Sequence, residues 1–66
     1  MEYKNFHLIK GQFNGAYWSI TFELITPHII DCKTVYNSVQ MTGVGVSEKQ
    51  AIKRAKILIR DYYENN

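Results

Sequence analysis

With 66 residues, 45% hydrophobic and 21% charged, the chain has room for one small domain, and its composition excludes a disordered tail or a collagen-like repeat. Eight Lys/Arg against six Asp/Glu leave a formal charge of +2, well short of the strongly basic balance of a dedicated nucleic-acid binder. No apolar run approaches the roughly 18 residues needed to cross a bilayer.

The first predicted strand covers 6–13, interrupted by Gly11. It ends at Asn14-Gly15, the dipeptide best suited to the positive φ angles of a two-residue type I′ hairpin. A second strand over 16–25 follows from strict alternation: Trp18, Ile20, Phe22 and Leu24 interleave with Tyr17, Ser19, Thr21 and Glu23, placing one face on a core and the other in water. Thr26-Pro27 predicts a break, because proline cannot donate to a ladder and restricts its predecessor. Asn37-Ser38 predicts another. The β-branched and aromatic residues around these points predict strands over 28–37 and 39–46, with no connection long enough for a parallel crossover.

At Ser47 the period changes. Ser47 and Gln50 fit a capping box, and Glu48 suits the positive end of a helix dipole, so a helix is predicted over 47–63. At 100° per residue Ala51, Ile52, Ala55, Leu58, Ile59 and Tyr62 fall in an arc of roughly 120° and form the expected core face. Lys49, Lys53, Lys56 and Arg60 fall in a separate arc of about 60°, with Ile57 alone projecting among the polar residues. The expected fold is therefore a single α+β domain over 1–66. Three or four antiparallel strands form a meander, followed by one C-terminal α-helix packed on one sheet face.

Charge is unevenly distributed along this scaffold. Across 1–46, Lys4, Lys10 and Lys33 balance Glu2, Glu23 and Asp31. The net positive charge lies beyond, where Lys49, Lys53, Arg54, Lys56 and Arg60 outnumber Glu48, Asp61 and Glu64. Basic side chains at about one per helical turn can track phosphates and release counterions, although lysine and arginine are also ordinary helix formers on a solvated face.

Residues able to carry catalysis are sparse. His7, His28 and Cys32 lie in three separate segments without the paired spacing of a zinc site. On a strand, His28 and Cys32 would stand about 13 Å apart, too far for a nucleophile pair. Gly43-Val44-Gly45 lacks the remainder of a phosphate-loop signature. A non-enzymatic protein with no metal and no cofactor is expected. The N-terminal Met-Glu-Tyr-Lys-Asn shows no basic stretch ahead of an apolar one, and a lone Cys32 suits a reducing compartment. The expected location is thus cytoplasmic, without a membrane partner.

The junction Gly43-Val-Gly45-Val-Ser47-Glu-Lys49-Gln-Ala51-Ile-Lys-Arg-Ala55 resembles the passage from the third strand into the last helix of double-stranded-RNA-binding domains, Gly-x-Gly-x-Ser-Lys-Lys-x-Ala-Lys-x-x-Ala-Ala. Pro27-His28 is similar to that family's Gly-Pro-x-His loop, which reaches into a minor groove. The resemblance implies a β-sheet and helix fold, with Lys49 on phosphates and His28 at the nucleic acid. Glu48 and Ile52 stand where the family has its other two lysines, and no counterpart of its first helix precedes Tyr17. A fainter similarity links Gly15-Ala-Tyr17, Thr42-Gly43 and Ala51/Ala55 to HicB-type antitoxins.

Two functions of different classes fit these residues. One is a nucleic-acid-binding accessory module that contacts RNA or DNA through Lys49, Lys53, Lys56, Arg60 and His28. The other is a small protein-interaction or inhibitor module that binds a protein partner or forms a homodimer through an open sheet edge.

Overall fold

A computed structural model describes residues 1–65. The order of elements is β1 (Glu2–Tyr3), β2 (Phe6–Phe13), β3 (Trp18–Ile30), β4 (Lys33–Gly45) and α1 (Glu48–Glu64). The strands form one antiparallel sheet in the order β1-β2-β3-β4, and α1 packs on one face of it against β4 and β3. This is the α+β meander with a C-terminal helix that alternation and capping predict. No helix is long and apolar enough to cross a membrane among the described residues.

The core is small: Phe6, Ile20, Phe22, Ala51, Ala55 and Ile59 are fully or almost fully buried. Ile20 and Phe22 come from the alternating segment, while Ala51, Ala55 and Ile59 form the inner stripe of α1. Small side chains on the helix meet glycines on the sheet. A Cβ on Gly43 would fall on the Ala51 carbonyl oxygen and the Ala55 amide nitrogen, and one on Gly45 would lie 2.8 Å from the Ala51 nitrogen. The helix backbone therefore rests directly on the strand at these two positions. Gly43-Val44-Gly45 is part of β4, and its glycines permit close approach of the helix. Leu58, expected inside, is 41% exposed and lies at the rim beside β4.

The helix begins as expected. Ser47 Oγ accepts the Gln50 amide at 3.1 Å, and Gln50 Oε1 accepts the Val46 amide at 2.7 Å. This reciprocal cap reaches one residue further back than the usual capping box. At the other end Phe6 meets Tyr62 and Tyr63 edge-on, with ring centroids 5.7 and 6.1 Å away. The Tyr63 hydroxyl donates to the Lys4 carbonyl at 2.6 Å, so both chain ends are tied together. That tie depends on β1, which turns into β2 through Lys4 and Asn5 at φ 48° and 72°, a strand and turn that the sequence reading does not contain.

The largest departure from expectation is at Pro27. Strands were expected over 16–25, 28–37 and 39–46; instead β3 and β4 are two uninterrupted thirteen-residue strands paired from Trp18–Gly45 to Ile30–Lys33. The chain reverses at Asp31-Cys32, with φ 51° and 63°, the paired left-handed conformation of a type I′ turn. The reason Pro27 is tolerated follows from the ladder. Arg54 Nη1 donates to the Val44 carbonyl at 2.8 Å, so Val44 turns its main-chain polar groups away from β3. These directions alternate along an antiparallel strand. Even-numbered residues of β4 therefore face the free edge, and their odd-numbered partners in β3 face β2. Pro27 is opposite Tyr36, and its nitrogen points to the β2 side, where pairing runs only from Trp18 to Glu23. The missing N–H has no ladder bond to lose. Asn37-Ser38 lies inside β4, paired with Thr26 and Ile25, because neither residue requires a turn.

The first hairpin also differs from its prediction. Phe13 pairs with Trp18 across a four-residue loop. Asn14 Oδ1 accepts the amides of Ala16 and Tyr17 at 3.0 and 2.9 Å, and only Gly15 takes a positive φ, 93°. The asparagine acts as a side-chain cap of the turn. Beyond Glu23 the β3–β4 hairpin continues as a two-stranded arm, which gives the molecule extents of 47 × 24 × 16 Å.

Candidate nucleic-acid interface

Seating of Ala51, Ala55 and Ile59 on the sheet fixes the rotation of α1 about its axis. Lys49, Lys53, Lys56 and Arg60 consequently share one flank, toward β1, while Arg54 falls on the β4 side. Their Cα positions span about 16 Å of helix. Two adjoining surface grooves run along this flank. One, of about 560 Å³, is lined by Ser47, Lys49, Gln50, Ile52, Lys53 and Lys56. The other, about 230 Å³, is lined by Tyr3, Lys53, Lys56, Ile57 and Arg60.

Tyr3 anchors the lower end of the flank. Its ring lies 5.2 Å from Lys56 Nζ and 6.0 Å from Lys4 Nζ, a distance at which the ring quadrupole attracts an ammonium group. Among the described residues the one ion pair joins His7 Nε2 to Glu2 Oε2 at 3.2 Å. Among the described residues none of the four flank cations is therefore neutralised by a carboxylate within ion-pair distance. Their charge is exposed to solvent, except that Lys56 is half-buried against Tyr3. Tyr3 and Lys4 lie outside the predicted set of Lys49, Lys53, Lys56, Arg60 and His28. The alternation of Glu2-Tyr3 against Phe6-His7 around Lys4-Asn5 is the short-hairpin signal that leads to them.

His28 is not part of this constellation. It is on the arm, opposite Val35, six residues beyond Phe22 and so about 20 Å farther along the strand. Pro27-His28 forms strand instead of the loop suggested by the resemblance. Among the described residues no group of three His, Cys, Asp or Glu side chains is placed to hold a metal ion.

The helix-free face of the sheet is polar over its centre. Glu23 accepts hydrogen bonds from the Ser38 hydroxyl at 2.8 Å and the Gln40 amide at 3.0 Å, and the hydroxyls of Thr21 and Thr42 share a bond of 3.0 Å. The Gln40 bond first, then the Ser38 bond, stabilises the carboxylate and holds the Glu23 pKa below its ordinary value, with slight desolvation opposing. A carboxylate at the middle of this face repels phosphates, so the positive flank of α1 is the surface suited to an anion. No family model matches the chain, and no curated protein or solved structure matches it.

Proposed function

We propose that the chain is a non-enzymatic nucleic-acid-binding module that holds the phosphate backbone on Lys49, Lys53, Lys56 and Arg60. The observation that carries this reading is the alignment of four cations, unpaired with carboxylates among the described residues, along adjoining grooves on one helix flank. A span of about 16 Å matches the rise of roughly five nucleotides in one strand of a duplex. The strand-to-helix junction supports the same polymer class through its similarity to double-stranded-RNA-binding domains. His28 stays outside the contact, and Tyr3 with Lys4 extends it.

Binding should be strongly dependent on salt. Four neutralised phosphates give a slope near −3.6 in log K against log salt, so affinity should fall about 100-fold between 50 and 200 mM. Fluorescence anisotropy against duplex RNA, duplex DNA and single strands measures this slope and identifies the preferred polymer. Replacing Lys53→Gln together with Lys56→Gln should reduce the slope by about half. Unchanged affinity and slope in the double variant, or no binding at 50 mM salt, refutes the assignment.

A further inference from the structure

We infer that the free edge of β4 pairs with the β4 edge of a second copy of this chain, antiparallel about a twofold axis at Ser38, to form a continuous eight-stranded sheet. The inference stands apart from the phosphate reading, since it uses the opposite flank of α1 and none of the four cations.

An exposed edge strand is a template for pairing, and monomeric proteins usually blunt it with charge, proline or a bulge. Beyond Lys33 the edge of β4 has none of these. No Asp, Glu, Lys or Arg occurs between Thr34 and Ser47, and no proline. Pairing with β3 is regular over all thirteen residues. The other edge of the arm is protected by Pro27. On the β4 edge one side chain acts as a stop: Arg54, through its bond to the Val44 carbonyl. The open, outward-facing groups are then those of Thr34, Tyr36, Ser38, Gln40 and Thr42, a set symmetric about Ser38.

That symmetry determines the register. Antiparallel pairing about Ser38 places Thr34 opposite Thr42 of the second copy and Tyr36 opposite its Gln40, with every open N–H and C=O of the segment used and Arg54 left in place. Residues of equal parity meet, so both helices lie on the same face of the joined sheet. On that face Val35 comes beside Met41 of the second copy. The neighbouring groove between α1 and β4, about 340 Å³ and mainly apolar, is lined by Thr42, Gly43, Val44, Arg54, Ile57 and Leu58. Val35, Ile57 and Leu58 are each about two-fifths exposed in the single chain. A twofold axis brings the arm of each copy to the helix rim of the other, and both contacts are made twice, as an isologous interface requires.

Pairing would cover the nine residues of each edge from Thr34 to Thr42 and the apolar rim beside them, where a standard interface removes ~800 Å² per partner. From Thr34 to Thr42 the paired edges carry no charged side chain, so this segment creates no repulsion between like copies.

Sedimentation equilibrium of the full chain tests the inference, alongside amide exchange at low and high concentration. At about 100 µM the protein should sediment as a dimer, and the amides of Tyr36, Ser38, Gln40 and Thr42 should become protected as concentration rises. Ser38→Pro removes the outward N–H at the axis, and Leu58→Lys charges the exposed rim without entering the core. Each should weaken dimerisation at least tenfold, with the far-ultraviolet circular dichroism of the fold retained by Leu58→Lys. A monomer at about 1 mM, a dimer unaffected by Leu58→Lys and unprotected at those four amides, or an assembly larger than a dimer overturns the proposal.

Discussion

Gly43→Ala is the substitution most dependent on how α1 is seated. The added methyl would overlap the Ala51 carbonyl oxygen and the Ala55 amide nitrogen and stand 2.9 Å from the Ala55 Cα. All three are main-chain atoms inside a regular helix and cannot rotate away as a side-chain tip can. Overpacking a core costs about 1–3 kcal/mol, and a contact between two backbones belongs near 3 kcal/mol. A domain of this length has only about 3–10 kcal/mol of stability in total, and each kcal/mol is worth roughly 4–8 °C in Tm. Thermal unfolding followed by circular dichroism should thus show Tm lowered by about 12–24 °C. Gly11→Ala is the control, because its methyl would meet a side-chain tip, Ile20 Cδ1 at 3.1 Å, and no main-chain atom; its change should stay below about 1 kcal/mol. A Gly43→Ala protein melting within about 3 °C of the parent, or no lower than Gly11→Ala, would refute the direct seating of helix on strand.

Two further outcomes concern the sheet. Replacing Asp31-Cys32 with Asn-Gly should raise stability by roughly 0.5–1 kcal/mol, since a cysteine at φ 63° occupies a conformation costly for a side-chain-bearing residue and free for glycine; urea unfolding measures it, and a fall in stability contradicts the turn assignment. Gln40→Ala removes the largest stabilisation of the Glu23 carboxylate, so the Glu23 titration followed by nuclear magnetic resonance should move up toward the ordinary glutamate range. Because the folded-state pKa is lowered, the stabilisation it contributes is present above the unfolded carboxyl value and lost as pH falls through the folded value. The stability difference between parent and Gln40→Ala should accordingly shrink in acid, and an unmoved Glu23 titration would exclude the bond.

Much of this protein is written in local pattern. The alternation from Trp18 to Leu24 determined a strand with one buried face, and Ser47 with Gln50 determined where the helix starts. The helical period then separated Ala51, Ala55 and Ile59 from Lys49, Lys53, Lys56 and Arg60, so the basic flank was legible before any fold. These properties follow from the geometry of a single element, which repeats every two or 3.6 residues whatever lies beside it. Only the tertiary structure decided what a residue's neighbour is. Pro27 is a strand residue because β2 ends before reaching it. Gly43 and Gly45 are needed because a helix backbone lies on them, Leu58 is at a rim because β4 is the last strand, and Tyr3 joins Lys56 because β1 folds back beside α1. Whether a main-chain N–H, a Cβ or an apolar side chain is satisfied depends on what occupies the adjacent space, and one-dimensional periodicity carries no record of that.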